Sequence, residues 1–390
     1  MLFQTLDNKR ECYAIYCDGE LYHYPNNLSL TETWDWSCHV PSNVDCAQVW
    51  TNGKSLKEVC PEHMQERLDG VQKRGLAFFQ ALQKAKVSLN DVCFYELVPK
   101  NFLLDHCRIK NDISSHVFQT YSKPKNYDFQ INLLGMLDKI SKRSLKVSKK
   151  APRNLNIHEQ KKYLQIKSLS GIEYNPWGSV TGRLTTRKDS FPILTLPKTL
   201  RQVIEPNNDL FLELDYNSAE MRVALAAAGQ VQPNIDIHEH LREEVYGQKY
   251  TRDDTKQKVF AWLYNPAARS KKLSEYINKD DILDKHYLGG AVSTAFDRRI
   301  EVHRDKALNY LIQSTTSDMF LRQAIKIDKL LEGTNSEVAF CIHDSLVIDM
   351  SKADKPLLEK IISMFKATPF GEFRTNVSIG KNFGTMRQVE

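Results

Sequence analysis

The side chains best suited to chemistry sit in two segments far apart in the chain. In the first, Leu210 to Arg222 (LFLELDYNSAEMR), an apolar run of Leu210, Phe211, Leu212 and Leu214 delivers the carboxylate Asp215 at its end. A polar turn then opens an alanine-rich helix, Ala219 to Gly229. In the second, Glu337 to Ile342 reads as a strand, His343-Asp344 as a tight turn, and Ser345 to Met350 as the returning strand. Each segment presents an acid at a strand tip. Brought together, two such carboxylates make a divalent-cation site, because hard cations such as Mg²⁺ take oxygen ligands and leave positions open for water and substrate phosphates. Singly, each has a plainer reading: an Asp at a strand-helix junction caps or turns the chain, and His-Asp in a hairpin is ordinary turn chemistry.

What lies around and between them favours the sharper reading. Ser179 to Thr186 is a loop of small and hydroxylated residues around Arg183, which is either a plain exposed loop arginine or one that reaches a phosphate or a base edge. Asp236-Ile237-His238 begins a helix running to about Tyr246. Thr251 then caps another helix, with Asp254 three residues on as in a capping box. Within it Arg252, Lys256, Phe260 and Tyr264 recur at steps of four, so they form a slowly drifting row about 18 Å long on one side. Two cations followed by two aromatics suit a triphosphate and then a base or sugar. An amphipathic helix with its aromatics in a core is the competing reading. His303 to Leu331 reads as a long helix on which Asn309 and Gln313 share a face, a placement fit either for minor-groove acceptors or for an ordinary helix with its polar residues turned outward.

The elements that must position these groups fill a chain of 390 residues, enough for two or three domains. The net charge is +6, compatible with a polyanionic partner, and Lys139 to Arg153 (KISKRSLKVSKKAPR) holds seven basic residues and no acid. That strip is either a solvated surface or a grip on phosphate backbone. The N-terminus lacks a basic-then-apolar leader pattern and no apolar run approaches about 18 residues, so no membrane segment and a cytoplasmic location are expected. Eight cysteines without a CxxC fit reduced thiols, and the irregular spacing of Cys38, Cys46, Cys60 and His63 makes a poor zinc site.

The first hundred residues read as a small α/β unit. Cys12 to Tyr24 forms a hairpin about Asp18-Gly19, Cys46 to Thr51 adds a strand, Pro61 to Ala85 is a helix, and Val92 to Val98 returns as a strand. Asp18-x-Glu20 is better explained by the DG turn than as a nuclease metal pair. Phe102 to Gln130 reads as a connector punctuated by Lys123-Pro124-Lys125, Phe129 to Leu137 as an apolar helix-like segment, and Lys161 to Leu169 as a short helix. Asp280 to Val302 reads as a loop.

In this order TGRLTT, LDYNSAEMR, DIH, RxxxKxxxFxxxY, NxxIQSTTSD and IHDSLV resemble the ordered motifs of family A DNA polymerases, the bacterial polymerase I group and its phage relatives. The resemblance runs from about Trp177 to Met350, and the ending VSIGKNFG is similar to that family's C-terminal strand. It implies an α+β right hand in compact form, with an antiparallel-sheet palm, helical fingers, a reduced thumb and a small N-terminal α/β domain of degenerate exonuclease-like character. The expected divisions are 1–120 for that domain, 121–165 for the thumb and basic connector, 166–235 and 306–390 for the palm, and 236–305 for the fingers.

It further implies template-directed addition of dNTPs to a primer 3′ end, without intrinsic 3′-5′ proofreading. Asp215, Asp344 and the backbone carbonyl of Tyr216 would hold two Mg²⁺ ions, with Mn²⁺ as a substitute, activating the primer hydroxyl and stabilising the leaving pyrophosphate. Arg252, Lys256 and His238 would bind the triphosphate, Lys256 also protonating pyrophosphate, while Phe260 and Tyr264 stack on nucleotide and template. Glu220 would occupy the space of a ribose 2′-hydroxyl, or reach back to Asn217 in a capping box. Arg183, Asn309 and Gln313 would meet the primer-template minor groove, and His343 would lie beside the primer end. Departures from the pattern are Ser218 for a common Gln, Asn265 for a common Gly and Ser345 for a common Glu. The partners implied are primer-template DNA and dNTPs, with a separate exonuclease and processivity proteins supplying what a compact chain lacks, in a host cytoplasm if the chain is phage-encoded. The alternatives are a catalytically inactive primer-template-binding subunit and a single-subunit RNA polymerase, against which Glu220 speaks.

Overall fold

The structure, a computed structural model, describes every residue except 9–10, 24–27, 38, 41–42, 90, 154, 248, 266–267, 269 and 390. It is a mixed α/β fold, 48% helix and 17% strand. The chain divides into two compact units, Met1–Asp138 and Lys139–Glu390.

The first unit is built on a five-stranded sheet ordered Glu20–Tyr22, Ala14–Cys17, Leu2–Leu6, Glu32–Thr33, Asp45–Cys46. The first three strands meander antiparallel and the last two run parallel to Leu2–Leu6. The hairpin turns at Asp18 (φ 50°) and Gly19 (φ 84°), so both central residues take the left-handed backbone that a two-residue hairpin demands. Asp18 and Glu20 thus belong to a turn and its outgoing strand; the far end of the expected hairpin, Tyr24, lies outside the described residues.

Three expectations fail here. Cys46 to Thr51 is strand only at Asp45–Cys46, after which Ala47–Trp50 makes a helical turn closed by Thr51 Oγ1 donating to Ala47 O. Val92 to Val98 holds only a 3₁₀ turn, Phe94–Glu96, because Pro99 starts a new helix directly behind it. The supposed connector is instead two helices, Lys100–Thr120 and Tyr127–Lys142, with Pro124 between them. The face Phe102, Leu103, Cys107, Ile113 and Val117 of the first is buried, which the polar residues interleaved with it disguised. The helix Glu62–Lys84 forms as expected but leaves Leu76 and Phe79 exposed. Cys46 is fully buried with its thiol pushed up by desolvation, Cys38 lies outside the described residues, and among those described no cluster of three or more potential metal ligands occurs.

The second unit is organised by an antiparallel sheet ordered Glu337–Ile342, Ser345–Met350, Leu210–Tyr216, Thr375–Gly380, Arg387–Gln388. The central strand pairs on both sides, which holds Phe211, Leu212, Leu214 and Tyr216 at no more than 2% exposure. The long helix Arg304–Leu330 packs with helices Ala219–Ala227 and Leu358–Lys366 over this core. Tyr216 stacks on Phe365 at 4.2 Å and donates its hydroxyl to Phe365 O at 2.7 Å, so the central strand and helix Leu358–Lys366 are locked by one aromatic pair.

Asp280 to Val302, expected as a loop, is a helix Lys279–His286 capped by Asn278 and a three-stranded sheet, Tyr287–Leu288, Ala291–Ser293 and Arg299–Glu301. Gly289 (φ 60°) and Gly290 (φ 77°) make its first turn. The short helix expected at Lys161 to Leu169 runs Ile157–Ile166, started by a capping box of Asn156 and Glu159. The basic strip is partly spent on internal pairing. Lys139 bonds Asp328 and Glu332 at 2.8 Å each, Arg143 Nε lies 2.7 Å from Glu337, and Lys146 lies 3.5 Å from Glu205. Among the described residues no helix is long and apolar enough to cross a membrane.

Candidate functional site

Asp215 is the penultimate residue of the central strand and pairs with Ser345 on one side and Asn376 on the other. Ser345 opens the returning strand directly after a two-residue turn, His343-Asp344, whose His343 takes φ 55°. The antiparallel register therefore brings Asp344 to the end of the sheet where Asp215 emerges. Burial, then the Asp344 charge, then Glu213, push the Asp215 carboxyl up to about 7, against a hydrogen bond from Asn376 Nδ2 at 3.4 Å. Burial also raises Asp344, opposed by His343 and Arg183. Two sheltered acids that resist ionisation are a site with an unmet demand for positive charge. Their donor set is hard oxygen, and the backbone carbonyl of Tyr216 belongs to the residue next to Asp215 at the strand's end. Hard-oxygen donors of this kind suit a divalent cation that fills its remaining positions with water; among the described residues no cluster of three or more His, Cys, Asp or Glu forms around them. Beside it, Ser345 Oγ donates to Glu213 Oε1 at 3.0 Å, so the serine orients a carboxylate on the neighbouring strand.

A cavity of about 400 Å³ opens at this end of the sheet, lined by Arg183, Glu220, His238, Phe260, Tyr264, His343 and Asp344, with Thr316, Ser317 and Phe320 from the long helix. Glu220, in the first turn of helix Ala219–Ala227, ion-pairs with Arg183. It does not form the expected capping box: the N-cap is Ser218 in left-handed backbone (φ 54°), with no side-chain cap. Burial raises the Glu220 carboxyl and the Arg183 charge opposes that rise. The Glu220 side chain is 14% exposed and that of Arg183 48%, so the acid is fixed in the wall while the arginine faces the opening.

Helix Arg252–Tyr264 begins with the anticipated box, Thr251 and Asp254 bonding each other's backbone. The anticipated row also forms. Phe260 and Tyr264 stack at 5.7 Å and 13°, Lys256 Nζ lies 5.9 Å from the Phe260 ring, and Phe260 stays 39% exposed. Val259, Trp262 and Leu263 are the residues of this helix that enter the core, so the core reading of the aromatic row fails. Arg252 gives Nε and Nη2 to Asp236 at 3.2 and 2.7 Å. Asp236 also accepts from Asn217 Nδ2 and from the His238 and Glu239 N–H groups, capping helix Ile237–Leu241. Burial alone would raise its carboxyl, but these bonds and the Arg252 charge hold it well below the usual carboxylate range. His238, 1% exposed, places Nε2 2.9 Å from Ser218 Oγ. Desolvation, with the Arg252, Lys256 and Arg222 charges and against Asp236, lowers its imidazole to about 4, so it is neutral at pH 7.

Asp215, Tyr216, Arg252 and Lys256 are not among the residues that line the cavity, and Asn309 and Gln313 lie further toward the N-terminal end of the long helix than the lining residues Thr316 and Ser317. The Asn309 Oδ1 is buried with no hydrogen-bond partner among the described residues. Sequence reasoning passed over Arg222, which is fully buried and bonds Asn217 O, Pro233 O and Ile235 O at 2.9 Å each, bracing the segment that delivers Asp236 and His238. An arginine inside an otherwise Ala- and Val-rich helix was the available signal. It also missed Asp318, paired with Arg298.

No protein-family model matches the chain and no curated protein matches it. Among solved structures it is similar to the POL domain of Pol1 from M. smegmatis, solved in complex with DNA primer-template and dNTP. The similarity has a TM-score of 0.49 at 14% identity and covers 84% of this chain and 66%, just under two thirds, of that one.

Proposed function

We propose that the chain is a template-directed DNA polymerase that adds dNTPs to a primer 3′ end. The observation that carries this reading is the convergence of Asp215 and Asp344 at one sheet end, beside a cavity walled by Glu220, His238 and the aromatic row of helix Arg252–Tyr264. The ordered motifs that resemble family A DNA polymerases fall on these same residues. The palm would be the sheet of the second unit, and the fingers the helices from Ile237 to His286.

Bound at the two aspartates, Mg²⁺ would supply Lewis-acid activation of the primer hydroxyl and charge neutralisation at the leaving pyrophosphate. The protein's own part begins with Arg252 and Lys256, whose charges draw the triphosphate to the helix, and Arg252 can exchange Asp236 for a phosphate oxygen. Neutral His238 donates or accepts a hydrogen bond without adding charge. Lys256 is the proton donor for pyrophosphate. Phe260 and Tyr264 offer a flat face to a base. Glu220, pinned by Arg183, fills the space a 2′-hydroxyl would need, which favours deoxynucleotides. Arg183, Asn309, Gln313 and His343 meet primer-template DNA.

Primer extension on a labelled primer-template with Mg²⁺ tests this, offering dNTPs or rNTPs to the natural chain and to Asp344→Ala. Extension with dNTPs only, lost in the variant, is the expected result. Retained primer-template binding without extension would favour a binding subunit, and equal use of rNTPs would favour an RNA polymerase.

A further inference from the structure

The loop that carries Arg183 is held from behind at a single peptide. Gly182 has φ 74°, and a Cβ placed on it would lie 2.6 Å from Arg298 Nη2 and 2.8 Å from Arg298 Cζ, so the guanidinium rests against the Gly182 backbone. That guanidinium is aimed by Asp318, 2% exposed, through Nε to Oδ2 at 3.0 Å and Nη2 to Oδ1 at 2.7 Å. The neighbouring Ser317 donates its Oγ to Gly182 O at 2.9 Å, and Gly182 N donates to Ser179 O at 3.1 Å. Arg298 is itself fixed, because the Thr294 hydroxyl accepts from its N–H at 3.2 Å within a tight turn. The residue after the clamped peptide is Arg183, whose partner is Glu220.

We propose that Arg298 and Asp318 are positioning residues: their ion pair, seated against Gly182, fixes Arg183 opposite Glu220 and so sets how strictly the site sorts deoxyribose from ribose. The sugar-sorting half rests on the polymerase reading; the clamp itself does not. A bidentate guanidinium-carboxylate pair is planar and directional, so it fixes orientation in a way a lysine ammonium cannot. Glycine is required at 182 both for its left-handed backbone and for the close approach of the guanidinium. With the loop loosened, Arg183 no longer holds the Glu220 carboxylate in one place, and the volume that excludes a 2′-hydroxyl becomes adjustable.

The test compares the full chain with Arg298→Lys, which leaves a cation beside Asp318, and Gly182→Ala, whose Cβ displaces the guanidinium from the loop without removing its charge; neither deletes the partner of the buried carboxylate. Hydrogen exchange of peptides covering residues 179–186 should quicken by at least about tenfold in both variants, while the central-sheet peptides keep their protection. In single-nucleotide extension the dNTP-to-rNTP ratio of kcat/KM should fall by about tenfold in both, with kcat for dNTP within about twofold of the parent. Arg183→Ala added to Gly182→Ala should cost no further discrimination, since both act through one pair. Unchanged exchange at 179–186 would overturn the clamp. Faster exchange with unchanged discrimination would overturn its role in sugar sorting. A natural chain that adds no nucleotide would overturn the functional reading and the sorting claim with it, whereas the exchange result would still decide the clamp.

Discussion

At the scale of single residues, the two acids at the sheet end carry an electrostatic cost. Asp215 is held among buried neighbours, facing the Asp344 charge, and among the described residues its hydrogen bond comes from Asn376 at a long 3.4 Å. Asparagine has nearly the same shape and no charge, so Asp215→Asn removes repulsion and desolvation at little cost in packing. In EDTA the variant is expected to melt above the natural chain, by a gain on the order of 1–2 kcal/mol, while nucleotide addition with Mg²⁺ falls below detection. A thermal melt beside a primer-extension gel measures both, and a lower melting point would mean that the Asp215 charge stabilises the fold and would overturn the repulsion argument. Glu220 differs: it has a cation, Arg183, and its truncation leaves that cation without its counter-charge. Glu220→Ala is therefore expected to raise rNTP use in competition assays with no rise in melting temperature.

At the scale of elements, the helices that flank the cavity depend on Asp236, which caps helix Ile237–Leu241 and holds Arg252 of the next helix. Its carboxyl lies below the ordinary value, so its contribution is fully present above the unfolded-state pKa of about 3.9 and is lost as pH falls toward the folded value. Asp236→Asn keeps the capping oxygen and drops the charge. With the Arg252 side chain 40% exposed, solvent screening limits the loss to on the order of 1 kcal/mol. Denaturant unfolding should show that gap constant from pH 8 to about 5 and closing toward about pH 3; a gap that widens in acid would refute the assignment. The same helices show what a sequence can convey. Thr251 with Asp254 and the row of four from Arg252 were legible because caps and helix faces are local patterns. So were the strands Leu210–Tyr216 and Glu337–Ile342, whose apolar runs are bounded by turns. The helix Lys100–Thr120 was not, since its buried stripe is interrupted by polar side chains and follows Pro99 closely. Neither was the sheet of Tyr287 to Glu301, made of strands two or three residues long. The Arg298–Asp318 pair joins a turn to a helix 20 residues on, a contact that only the fold creates.

At the scale of the whole molecule, the question is which of its positive charges are free to meet a polyanion. The net charge is +6, and the run from Lys139 to Arg153 looked like its densest source. The fold divides that run. Lys139, Arg143 and Lys146 are engaged with Asp328, Glu332, Glu337 and Glu205, and the Asp328 side chain is only 8% exposed, so these cations hold the second unit together. Lys149, Lys150 and Arg153 are exposed instead. Binding to duplex releases counterions in proportion to the phosphates neutralised, and each contact adds about 0.9 to the slope of log affinity against log salt. Replacing Lys149, Lys150 and Arg153 by alanine is expected to make that slope shallower by about 2–3 for primer-template DNA, without moving the melting temperature. Lys139→Ala should do the reverse, lowering the melting temperature and leaving the slope as it was, because its charge is already answered within the protein. Fluorescence anisotropy across a salt series, read beside thermal melts, separates the two. Equal slopes in the triple variant and the natural chain would make the strip a solvated surface, and would leave the phosphate grip to cations around the cavity itself.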